Sequence, residues 1–94
     1  MRHKLFIGAR RIGKTTMLLE KAKKGDIILT TTLQNADRLQ RQTEAKVIHR
    51  ISDLKFYKSN TLLVDEYFNL TIIERKKLIN YYNILEITAF STAD

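Results

Sequence analysis

The segment Gly8-Ala9-Arg10-Arg11-Ile12-Gly13-Lys14-Thr15 constrains this chain more than any other stretch. It satisfies G-x-x-x-x-G-K-[ST] at every required position. A short β-type run, Lys4-Leu5-Phe6-Ile7-Gly8, leads into it, and a helical run over residues 13–24 leads out. A strand that turns through such a loop into a helix points successive backbone N–H groups inward, which makes an anion nest at a helix N-terminus. Gly8 closes the strand, and Gly13 stands where the backbone must come close to phosphate. Ala9, Arg10, Arg11, Ile12 and Thr16 complete the expected cradle. Lys14 is spaced to reach the β- and γ-phosphates of a nucleotide, and the Thr15 hydroxyl to ligate Mg²⁺.

Downstream, strand-like and helix-like runs alternate. In the helix over 13–24, Met17, Leu18 and Ala22 form the inward side and Gly25 stops it. Residues 26–31 are apolar and β-branched, as in a strand covered on both faces. Residues 34–44 read as a polar helix with Ala36 and Leu39 inward. A short strand over 46–49 and a helical turn over 51–56 follow, then the clearest strand, 61–65. Residues 71–79 form an amphipathic helix with Thr71 as N-cap and Ile72, Ile73 and Ile79 as its apolar side. The last strand covers 84–90. Alternation of this kind means βαβ units. The expected fold is one α/β domain over residues 1–94, a three-layer α/β/α sandwich with a mostly parallel sheet of about four strands.

Composition removes other classes. A chain of 94 residues leaves no room for a second, substrate-carrying domain. No cysteine is present, and His3 and His49 lack metal-ligand spacing, so neither a disulfide framework nor a zinc centre is expected. Apolar runs are too short for a membrane span, and Met1-Arg2-His3-Lys4 before Leu5-Phe6-Ile7 is too short for a signal peptide, so a cytoplasmic protein is expected. The net charge of +7 is uneven. Residues 1–24 carry eight Lys/Arg against one Glu, whereas residues 61–94 carry three against five acids. A basic first quarter invites a polyanion, either nucleotide phosphate or a nucleic-acid backbone.

A phosphate loop needs a carboxylate from a second strand. Leu62-Leu63-Val64-Asp65-Glu66 offers one, with Asp65 facing Mg²⁺ and Glu66 one residue on, placed to act as general base on an attacking water. This strand is expected to lie adjacent to the loop in the sheet.

These residues resemble the ATPase domain of P-loop NTPases of the additional-strand, catalytic-glutamate class, and within it the large terminases of tailed phages and the superfamily 1/2 helicases. Four segments carry the likeness. Ala9 to Thr16 looks like the terminase loop, with its Arg before the Gly-Lys. Ile28-Leu29-Thr30-Thr31-Thr32 with Ala36-Asp37-Arg38-Leu39 looks like the strand-to-helix motif that contacts nucleic acid. Val64-Asp65-Glu66 is similar to the second Walker motif, and Phe90-Ser91-Thr92-Ala93 to the Ser/Thr coupling motif. The resemblance implies ATP and Mg²⁺ as ligands, Arg10 as an arginine finger acting in cis, and Ser91 or Thr92 as a γ-phosphate sensor. It also implies DNA or RNA as a partner, and a homo-oligomer or larger motor of the kind used in viral DNA packaging.

With seven residues before Gly8 and an end soon after Phe90, a minimal half-motor is expected. Two functions stay open: a Mg-dependent ATPase acting on or near nucleic acid, and a non-hydrolysing regulator or adaptor of a viral or host motor. A small-molecule kinase fits less well, since no lid segment is visible. Lys55, Tyr57 and Lys58, and the pair Tyr81-Tyr82, could join basic to aromatic residues as single-strand contacts do, but Tyr81 and Tyr82, at the end of an amphipathic helix, more often serve core or rim packing.

Overall fold

A computed structural model describes residues 3–8 and 13–92. The order is β1 (Lys4–Gly8), α1 (Lys14–Lys21), β2 (Ile27–Leu29), α2 (Leu33–Gln40), β3 (Lys46–Ile48), a 3₁₀ helix (Ile51–Phe56), β4 (Thr61–Val64), a 3₁₀ turn (Tyr67–Asn69), α3 (Ile72–Ile79) and β5 (Glu86–Thr92). The five strands form one sheet, ordered β1-β5-β4-β2-β3, and every neighbouring pair is parallel. The sheet is therefore one strand wider than expected, and wholly rather than mostly parallel.

Strand alternation splits the core in two. Ile28, Val47, Leu63 and Phe90 face Leu18 of α1 and Ala36 and Leu39 of α2. Ile27, Leu29, Ile48, Leu62, Val64 and Ile87 face the other way, onto Ile51 and Leu54, Leu70, and Leu78 of α3. The continuous apolar runs in β2 and β4 are what a sheet covered on both faces requires. Among the described residues, no helix is long and apolar enough to cross a membrane.

Two elements depart from expectation. α1 ends at Lys21, because Ala22 is extended. Residues 23–26 then close a separate turn, in which the Lys23 N–H donates to Asp26 Oδ2 and the Asp26 N–H to the Lys23 carbonyl. Gly25, with φ +95°, serves that turn and not the helix end. In α3 the expected inward residues Ile72, Ile73 and Ile79 are 71%, 68% and 56% exposed, and Leu78 is the buried one. The helix is rotated so that Glu74, Arg75 and Leu78 line its inner side, because its start is anchored there. Thr71 Oγ1 accepts from the Glu74 N–H (3.1 Å) and Glu74 Oε1 accepts from the Thr71 N–H (3.0 Å), a reciprocal cap. Arg75 donates to the Phe68 carbonyl (3.0 Å). Thr71→Ala is expected to cost about 1 kcal/mol, a fall of about 4–8 °C in thermal midpoint for a domain of this size, as read by circular dichroism.

Candidate functional site

The parallel sheet brings the carboxyl ends of β1, β5, β4 and β2 to one edge, where open α/β sheets bind ligands. Gly8 is the last residue of β1, and Gly13 is the N-cap of α1 with φ 80° and ψ 29°. Among the described residues, a Cβ on Gly13 would meet nothing within 4 Å, and the left-handed backbone is what calls for glycine there. Gly13 gives α1 no side-chain cap, and no acid sits in the first turn. A helix end of this kind favours negative charge. Gly8 and Lys14 line one hollow of about 290 Å³ together with Phe6 and Met17. Thr15 and Thr16, next in the first turn of α1, are exposed. Ala9, Arg10, Arg11 and Ile12, expected in the phosphate cradle and, for Arg10, as a finger, lie outside the described residues.

Asp65 follows β4 directly, and its N–H continues the ladder onto the Leu29 carbonyl (2.8 Å). Its Oδ2 accepts from the Thr30 hydroxyl (3.1 Å), just beyond the end of β2. Burial pushes the Asp65 carboxyl above its ordinary 3.8, and the Glu66 charge adds to this; the Thr30 hydrogen bond and the charges of Arg38 and Lys14 act the other way. Lys14 and Asp65 therefore feel each other across the site. A buried carboxylate drawn upward by desolvation is one whose charge a cation would relieve.

The folded chain thus holds this proton more tightly than the unfolded chain. The carboxyl favours folding below its unfolded value, and that contribution is lost as pH rises through the folded one. Asp65→Asn keeps an oxygen for Thr30 and cannot ionise. It is expected to raise the thermal midpoint of the ligand-free protein at neutral pH, with the gain shrinking toward about pH 4. A pH series of melting curves reads the difference, and a gain that does not change with pH refutes the assignment.

Glu66 is the one non-glycine residue with positive φ among those described, at φ 55° and ψ 64°. Such a conformation costs on the order of 1–3 kcal/mol and persists only where neighbours enforce it. Thr92, at the end of β5, does so. Its N–H donates to Glu66 Oε2 (3.1 Å) and its hydroxyl to Oε1 (2.6 Å). Thr92 is also in register with Gly8 across the β1–β5 pair. The loop after Glu66 is fixed from two sides, by the Phe68 N–H donating to Ser91 Oγ (3.0 Å) and by Arg75, which also lies over the Tyr67 ring (5.0 Å).

The expectation that β4 adjoins the loop strand is corrected by the strand order, since β5 lies between β1 and β4. Thr92 bridges that gap. Ser91 and Thr92, alternatives as the expected sensor, are separated by strand alternation. Ser91 is buried and occupied by the Phe68 N–H, while Thr92 meets Glu66. Arg38, in the segment read as a nucleic-acid motif, acts as a cation on Asp65, and Arg75, the anchor of the loop, carries no motif of its own.

No trio of His, Cys, Asp or Glu able to hold a metal occurs among the described residues. The oxygen donors Asp65 and Thr15 instead suit Mg²⁺, which commonly takes one or two protein ligands and completes its shell with water and phosphate. Set against protein-family models, curated proteins and solved structures, the chain matches none.

Proposed function

We propose that this chain is a Mg-dependent, ATP-binding P-loop NTPase of the additional-strand, catalytic-glutamate kind, acting on or near nucleic acid. The observation that carries the reading is the Glu66–Thr92 pair. A carboxylate in a strained backbone conformation is held by two hydrogen bonds beside Gly8, the residue that opens the phosphate loop. A plain acidic turn has no need of such a device.

In this reading the N–H groups at the start of α1 and the Lys14 ammonium bind the phosphates. Asp65 and Thr15 would hold a magnesium ion, which would supply charge neutralisation to the phosphates. Each Glu66 oxygen keeps a free lone-pair direction after accepting from Thr92, so the carboxylate can take the proton of a water aligned with the γ-phosphorus. Arg10 remains the proposed finger. The basic first quarter of the chain supports a nucleic-acid partner.

A second reading is a nucleotide-binding regulator without turnover, as part of a larger motor or a homo-oligomer. It is favoured by one fact, that both Glu66 oxygens already accept from Thr92. Calorimetric titration with MgATP, followed by phosphate release with and without DNA, tests both. Binding with turnover supports the ATPase. Binding without turnover at any protein concentration supports the regulator. Failure to bind MgATP overturns both.

A further inference from the structure

At the opposite end of the sheet lies a cleft of about 390 Å³, at the amino ends of β2, β4 and β5. Ile27, Leu54 and Leu85 are buried and give it an apolar floor. Tyr57 and Tyr81 stand on its walls, with Lys58 and Asn60 also lining it, and no carboxylate lines it among the described residues. Tyr57 and Tyr81 are 24 positions apart in sequence, and the fold sets them around one space. Beside the cleft, Lys46 Nζ sits 5.3 Å from the centre of the Tyr57 ring, and Lys55 Nζ sits 5.2 Å from that of Phe56. Phe56 is 70% exposed, and Tyr57 is 40% exposed.

We infer that this cleft and its rim bind single-stranded nucleic acid. Tyr81 also packs against the core, and the exposed Tyr57 and Phe56 carry the match to that chemistry. Exposed rings offer stacking faces to unpaired bases, and each ring carries an ammonium on one side, within reach of the phosphate next to a stacked base. A volume of about 390 Å³ falls in the range that takes a small organic ligand such as a base with its sugar. A duplex hides its base faces and would leave Phe56 and Tyr57 unused. An acidic peptide would answer the lysines but not the aromatic walls. The site lies at the far end of the strands from Gly8, Asp65 and Thr92, so it stands independently of nucleotide hydrolysis.

The test is fluorescence anisotropy of a labelled oligothymidylate with the wild-type chain and with Phe56→Ala, Tyr57→Ala, Tyr57→Phe and Lys58→Ala. Tyr57→Ala is expected to weaken binding about five- to 150-fold, as for loss of one stacked base, and Tyr57→Phe to retain it. Phe56→Ala, at a position too exposed to threaten folding, is expected to weaken binding in the same direction. Lys58→Ala is expected to lower the slope of log affinity against log salt by about 0.7. Equal binding by wild type and all the variants overturns the inference, as does a wild-type chain that prefers the duplex or binds no strand. MgATP titration of the same proteins reads the other end of the sheet separately. Loss of the nucleotide site would leave these outcomes unchanged.

Discussion

With Glu66 replaced by Gln, ATP hydrolysis is expected to fall about 10²–10⁴-fold, the usual contribution of a positioned general base, while MgATP binding persists. The expectation follows from the pair with Thr92. A carboxylate presents two acceptors, and Thr92 donates to both. A glutamine amide presents one acceptor and one donor. With its carbonyl on the Thr92 N–H, its NH₂ can donate to the Thr92 hydroxyl, which then accepts, so both contacts can persist while the base is lost. Glu66→Gln therefore reads the chemical loss with little change of orientation. Thr92→Val reads the orientation instead, since it keeps the carboxylate and the main-chain donor but removes the hydroxyl. Single-turnover phosphate release, alongside binding of a fluorescent nucleotide, measures both variants. A Gln variant that hydrolyses at the wild-type rate removes Glu66 from the mechanism.

Lys14→Ala is expected to weaken MgATP binding about ten- to 150-fold, the loss of a charge-assisted hydrogen bond to phosphate. Three features single out this lysine. It occupies the first residue of α1, where the helix dipole already favours an anion. It lines the same hollow as Gly8. Its charge also reaches Asp65, where it helps offset the cost of burying that carboxylate. In the Ala variant the Asp65 carboxyl loses that support, so magnesium dependence should change together with nucleotide affinity. Calorimetric titration over a range of Mg²⁺ concentrations checks the coupling. Unchanged MgATP affinity in Lys14→Ala would place the phosphates elsewhere.

Much of the fold is legible in the residues themselves. Runs such as Leu62-Leu63-Val64 and Ile27-Ile28-Leu29 are apolar on both sides, and only a sheet covered twice explains that pattern. Thr71 with Glu74 announces a helix start in the residues themselves. The rotation of α3 was less accessible, because its isoleucines outnumber Leu78 and the anchor that turns them outward, Arg75 on the Phe68 carbonyl, is a tertiary contact. Strand order was out of reach for the same reason. Nothing local in residues 84–90 says that this segment inserts between β1 and β4. At the site, Asp65 and Glu66 were legible as residue types behind an apolar run. The left-handed backbone of Glu66 and its grip by Thr92 depend on a contact 26 residues away. Thr30 was visible as a strand-end hydroxyl, but its bond to Asp65 follows from the pairing of β2 with β4.

The position of β5 bears on the order in which the molecule can assemble. The first strand has β5 as its sheet neighbour, so residues 4–8 must wait for residues 88–92 before they acquire a partner. Closing so long a loop delays the reward for ordering the first strand and slows folding. During synthesis the β2, β3 and β4 segments emerge together and can pair at once, whereas the opening strand stays uncommitted until the closing one leaves the ribosome. A nascent chain therefore cannot settle residues 4–8 into the sheet until residues 88–92 have been made.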